Sequence, residues 1–424
     1  MSEGHPIPDA ESMPAAHAGH RGARIESDLR RILAVQALRA FAYGFGVVVL
    51  GTELDRTGAS ALQVSLVFTS MLAGMALTST VVAVTGDRLG RRRLYVTLLT
   101  VMGITGAVYA VTARVWILAL VALTGTVSTD ANDSGPITSL EQAMIGQAPG
   151  ATRVRVFGRY NAAAYLCGAL GSLAAGGPAF LRRVWTGAPA DRRWFLVLPI
   201  VATLCVAIAR GLSPAMEPEG SPRDHRPLER SRRSVRRLSG LFALDSFAGG
   251  FVVSSFIVFW FARRYDVGPE VMSLVLFAAG LLQAASSIVA ARLGARIGLL
   301  NTMVFTHLPS NLLLLSVPLM PAAPAAIALL LLRFALSQMD VPTRQAYLAA
   351  LVDPEERTAA AGITNTSRYV VRPFGQLLGG ALMSASVAAP FIAAGTLKCV
   401  YDLALYRTFR RVPLPEAASP RPSV

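Results

Sequence analysis

Charged side chains are scarce in this 424-residue chain, and several stand where a charge is costly. Asp, Glu, Lys and Arg make up 15% of the residues, against 53% hydrophobic. A soluble chain carries roughly a quarter charged residues. Yet Arg39, Asp130, Asp133, Asp245, Arg333, Asp340 and Arg344 fall within or at the edge of long apolar runs. If those runs lie in a bilayer, each charge costs at least ~2.5–3.5 kcal/mol and requires a partner or a purpose. Two kinds of chemistry fit. An acid in such a place can take up and release a coupling proton, and Asp133 is the leading candidate. An arginine can neutralise an acid or face a substrate, and Arg39 is expected to do so with Asp130 or Asp133 as counter-ion. Asp340 and Arg344 are four residues apart and share a helical face if the helix runs through Pro342. Asp245 is matched with Arg39 or Arg372, and Lys398 with Asp402. His307, ahead of Pro309, reads as a packed histidine. This mixture of signs favours neither a purely cationic nor a purely anionic ligand.

Other chemistries find no support. There is no Ser/His/Asp constellation, no H-E-x-x-H and no Walker A loop, so neither an enzyme nor an ATPase is expected. Cys167, Cys205 and Cys399 lie far apart in apolar segments and lack metal spacing. His5, His17 and His20 are too loosely spaced for a metal site. No cofactor and no metal are expected. The net charge of +15 does not imply a nucleic-acid partner, because the arginines are dispersed among the breaks between apolar runs.

A second group of charges has a different setting. Gly86 to Leu94 holds two glycines, one acid and four arginines between two apolar runs. Small residues permit a tight turn, and the charges fit a short cytoplasmic loop. A bilayer span needs ~20 mainly apolar residues, and the sequence holds about a dozen such runs. Arg24, Arg30 and Arg31 precede the first run, and Arg407, Arg410 and Arg411 close the last. Both termini are therefore expected in the cytoplasm. Arg182, Arg183, Arg192, Arg193, Arg263 and Arg264 run against this rule.

These runs must position the charges. Residues 1–27 read as a disordered tail, 28–210 as a six-helix bundle, 211–237 as a Pro- and Arg-rich linker, 238–411 as a second bundle and 412–424 as a tail. The expected fold is all-α, with twelve transmembrane helices in two pseudo-symmetric bundles around a cavity. In the fourth span a helix starting at Val115 is still inside the bilayer at 130–133, with a break at Gly135-Pro136. An internal duplication supports the plan. Arg296 and Gly298 stand where Arg88 and Gly90 do, while Ala295 replaces Asp87. Pro342 follows Asp340 much as Pro136 follows Asp133.

On these grounds the chain resembles the major facilitator superfamily. Asp87, Arg88, Gly90, Arg91 and Arg92 match the charged half of its loop signature, G-x-L-a-D-R-x-G-R-[RK]; Ala83, Thr85 and Gly86 depart from the apolar half. The resemblance covers about residues 30–411. It implies a secondary active transporter of a small molecule working by alternating access in the plasma membrane. Proton-coupled efflux is the leading mode and uptake the alternative; a non-transporting receptor is a third reading. A monomer is expected, with the bilayer and protons as partners. By the resemblance, Asp87, Arg88 and Arg91 belong to a charge network that holds the two halves together on the cytoplasmic side, with Glu141 as a further partner. The fourth span lacks the arginine of proton-coupled members, and the glycine motif of antiporters is rearranged in Gly168 to Pro178.

Overall fold

The computed structural model describes residues 15–128, 130, 135–146, 150–187, 189, 192–217, 231–352 and 356–412. Among them there are α-helices and short 3-10 turns and no strand. The helices are α1 (Ala15–Arg56), α2 (Ala61–Leu89), α3 (Arg91–Val111), α4 (Val115–Ala122), α5 (Pro136–Ile145), α6 (Gly150–Ala174), α7 (Gly177–Val184) and α8 (Val197–Arg210). After the segment read as a linker come α9 (Arg232–Gly250), α10 (Ser254–Tyr265), α11 (Pro269–Ile297), α12 (Leu299–Ser316), α13 (Ala323–Ser337), α14 (Asp340–Leu351), α15 (Arg357–Ala385) and α16 (Ala389–Phe409). Nine stretches of the described residues are long and apolar enough to cross a bilayer. Leu77, Trp116, Ile200, Phe305, Leu332 and Phe374 are each more than half exposed. Such an apolar outer face is what lipid requires.

The duplicated hinge is visible in the backbone. Gly90 joins α2 to α3 at φ 85°, and Gly298 joins α11 to α12 at φ 89°. Only glycine takes such angles without strain, so both hinges end one span and start the next within a single residue. The internal pairing repeats too. α1 packs on α6 and α9 packs on α15. Each pair meets backbone to backbone: a Cβ on Gly171 would lie 1.9 Å from Phe41 O, and one on Gly375 2.0 Å from Phe247 O. Small residues at these crossings are what lets the helices approach.

Several spans are broken, which at membrane depth is tolerated where backbone is buried in protein or lines a cavity. The fourth breaks earlier than its sequence suggests. α4 stops at Ala122, Gly125 turns at φ 67°, and Pro136 opens α5 at its first position. A proline there loses no helical hydrogen bond. Asp130 therefore sits in the break and not on a continuous helix. α9 and α10 are separated at 251–253, and α13 and α14 at 338–339. Pro342 lies in the first turn of α14, so it does not interrupt the face shared by Asp340 and Arg344.

The core is asymmetric along the membrane normal. Away from the glycine hinges, one apolar cluster runs through both halves of the chain, including Phe45, Phe68, Phe256, Trp260 and Phe391. Nearer the hinges there are two separate clusters. One is built from residues between Leu29 and Met216, the other from residues between Val235 and Phe409. α2 against α15, α6 against α11 and α1 against α10 join the halves. At one such contact Ser65 Oγ donates to Gln376 O at 2.7 Å.

Candidate functional site

Arg39 lies on α1 and is 1% exposed. Its Nη2 is 2.6 Å from Glu141 Oε2 on α5, and it also donates to Thr138 Oγ1 at 3.0 Å and to Gln36. Tyr95 donates to Glu141 Oε1 at 2.7 Å and Tyr160 to Oε2 at 2.5 Å. The guanidinium carbon stands 5.3 Å from the centre of the Tyr43 ring. Because α5 starts at Pro136, Thr138 and Glu141 fall on one face, toward α1. The sequence expectation is corrected on two points. Asp130 is not the counter-ion of Arg39, and Glu141 answers Arg39 rather than the hinge. Asp133 lies outside the described residues.

The second half holds a larger network. Asp245 on α9 is 2.5 Å from Lys398 Nζ on α16 and 3.6 Å from Arg344 on α14. Arg344 also reaches Asp340 at 3.1 Å, as the four-residue spacing predicts. His307 Nδ1 is 2.8 Å from Asp402 Oδ1, and Asn311 Nδ2 donates to Asp402 Oδ2 at 2.8 Å. His307 Nε2 stands 4.0 Å from Asp245. Thus Asp245 pairs with neither Arg39 nor Arg372, and Lys398 and Asp402 serve different partners despite their spacing. His307, expected as a packed histidine, is buried and also hydrogen-bonded to Asp402. Spacing on one helix favoured the local pair; the tertiary fold brings α9, α12 and α14 against α16 and supplies better ones.

Asp130 joins the two halves. Its Oδ2 is 2.6 Å from Arg372 on α15, and its Oδ1 accepts from Ser254 N at 3.0 Å and Ser254 Oγ at 2.7 Å at the start of α10. Beside this bridge lies a cavity of about 500 Å³. Asp130, Tyr165 and Arg333 line it, as do Asp245, Asp340, Arg344, Arg368 and Lys398. Neither Arg39 nor Glu141 lines it, so the expected cavity role of Arg39 is replaced by a buried ion pair. Arg368 was missed in the sequence because it lies four residues before Arg372 in a run of polar residues that resembled an ordinary helix face.

At the first hinge, Asp87 and Arg88 have side chains outside the described residues. The backbone N–H groups of Arg91 and Arg92 donate to Glu217, at 2.7 and 3.1 Å. A carboxylate at a helix N-terminus satisfies orphan donors and the helix dipole. Arg91 Nη1 donates to Ala143 O at the end of α5, at 3.1 Å. Glu217 was also missed, since an acid in a polar linker carries no local signal of the helix it caps. The same segment is tied to α1: Asp28, 0% exposed, accepts from Ser213 N, and Arg31 donates to Gly211 O.

Comparison with known proteins agrees with this architecture. The profile described as Major Facilitator Superfamily matches residues 32–375 and again 238–423. An uncharacterized membrane protein of Saccharomyces cerevisiae is 24% identical over 416 residues, 89% of this chain and 93% of that one. A bacterial homologue of the human lysosomal transporter Spinster, solved inward-facing and occupied, superposes with TM-score 0.71 at 15% identity, covering 93% of this chain and 98% of that one. A D-xylose-proton symporter superposes with TM-score 0.70 at 15% identity, covering 92% and 98%. With a hinge repeated at Gly90 and Gly298, helix pairs repeated between its halves and a family match across most of its length, the chain belongs to the major facilitator superfamily.

Proposed function

We propose that the chain is a secondary active transporter that moves a small molecule by alternating access and couples the movement to protons. We read its architecture as twelve spans in two bundles, 28–210 and 238–411, joined by the segment 211–237, in the plasma membrane with both termini cytoplasmic. One observation carries the reading: a cavity of about 500 Å³ beside two hinge-end cores that stay apart, under a far-end core that is shared. That volume suits a small molecule, and rocking one bundle against the other would turn the opening to the opposite side. The hinge charges Asp87, Arg88 and Arg91 then clamp the cytoplasmic end in the reversed state.

Proton coupling draws support from Asp402, whose two oxygens meet His307 Nδ1 and the Asn311 amide beside the cavity. An imidazole changes charge near neutral pH, and a structural neighbour is a proton symporter. The test is reconstitution into vesicles with an entrapped pH indicator and a panel of metabolites. A transported compound should move protons with it, and the response should be lost in Asp402→Asn. Flux without proton movement would remove the coupling; no flux of any compound would remove the transporter reading. The sign of the proton movement separates efflux, the direction expected from the sequence, from uptake.

A further inference from the structure

Among the described residues the charges around the cavity do not balance. Five cationic side chains line it, Arg333, Arg344, Arg368, Arg372 and Lys398, against three carboxylates, Asp130, Asp245 and Asp340. Each carboxylate is already answered. Asp130 has Arg372 at 2.6 Å, Asp245 has Lys398 at 2.5 Å, and Asp340 has Arg344 at 3.1 Å. Arg333 on α13 and Arg368 on α15 have no acid within ion-pair distance among the described residues, and the Nε of each is buried without a hydrogen-bond partner. His307 adds no negative charge, and Asp402 behind it is taken by His307 and Asn311.

An unpaired guanidinium inside a bilayer span is expensive. It is retained where an acceptor arrives with the ligand, and its planar fork of donors matches carboxylate and phosphate oxygens. Tyr165, Tyr369 and Phe334 line the same cavity and supply apolar surface. We infer that the cavity takes an organic anion carrying a carboxylate or a phosphate, held by Arg333 and Arg368. Among the described residues the mixed signs reduce to pairs, and what remains unpaired is positive. This inference rests on the transport reading for its biological sense but not for its test.

The test reads the charge preference of the cavity directly. Ser287 lines it on α11, and Ser287→Cys places a thiol there in the full-length protein with Cys167→Ser and Cys399→Ser. Its labelling is timed with the sulfonatoethyl and the trimethylammonium-ethyl methanethiosulfonates, each corrected for its rate with a free thiol. The anionic reagent should react faster. Arg333→Gln with Arg368→Gln should reduce that preference about tenfold, the scale of two charges acting across a partly dry cavity. Arg→Lys at both positions should keep it. Succinate and inorganic phosphate serve as competitors and separate the two head groups; choline is the cationic control. Equal corrected rates, a preference for the cationic reagent, or protection by choline alone would overturn the inference. Labelling needs no turnover, so vesicles that show no flux would sink the transport reading and leave this result standing.

Discussion

At the residue scale the most constrained group is the Arg39–Glu141 pair. Both side chains are essentially inaccessible, and the acid also accepts from Tyr95 and Tyr160. Removing one partner of a buried pair leaves the other uncompensated, at about 3–5 kcal/mol, whereas removing both is often neutral. Arg39→Gln should therefore lower the midpoint of thermal unfolding in detergent strongly, and Arg39→Met with Glu141→Leu should recover most of the loss. A single variant as stable as wild type would show that the pair does not hold α1 to α5. The sequence marked both residues as important but joined them to other partners. Which face Glu141 presents depends on where α5 begins, and that phase is set by a break from Gly125 to Gly135 that carries no periodicity. The same holds for Asp130, whose partners Arg372 and Ser254 come from the other half of the chain.

At the scale of elements, the hinges were the most legible feature. Gly90 and Gly298 were matched from sequence alone, and both adopt positive φ. Because nothing lies within 4 Å of a Cβ built on Gly298, Gly298→Ala isolates the backbone term, about 1–3 kcal/mol for a non-glycine residue held at φ 89° and ψ 155°. Thermal unfolding should report a loss of that size; an unchanged midpoint would mean that the hinge relaxes to negative φ. Charge at the two hinges is unequal, since Ala295 stands where Asp87 does. Asp87→Asn is accordingly expected to impair transport in vesicles more than any single change within 291–298, and equal effects would reduce both loops to topological markers. Glu217 adds a tie that sequence could not supply. Its carboxylate caps α3 from a segment 126 residues away, so only the folded chain reveals the partnership.

At the scale of the whole molecule, the apolar runs announced a membrane protein and the duplication announced two related halves, but the cavity could not be located. Its walls depend on which faces of α9, α13 and α15 turn inward, and nearly uniform apolar spans do not declare an inner face. The shared core at one end and the separate cores at the other make a mechanical prediction. If the halves rock, the far-end contacts must part in each cycle, so a covalent tie there should stop transport. Gly176 and Ser273 offer the place. They belong to different halves, and a Cβ on Gly176 would lie 3.4 Å from that of Ser273, close to the ~3.8 Å typical across a disulfide. Gly176→Cys with Ser273→Cys, oxidised in vesicles, should lose flux, and a reductant should restore it, with wild type under the same oxidant as control. Complete cross-linking with flux at the reduced rate would show that this end stays closed throughout the cycle, and the rocking motion would have to be abandoned.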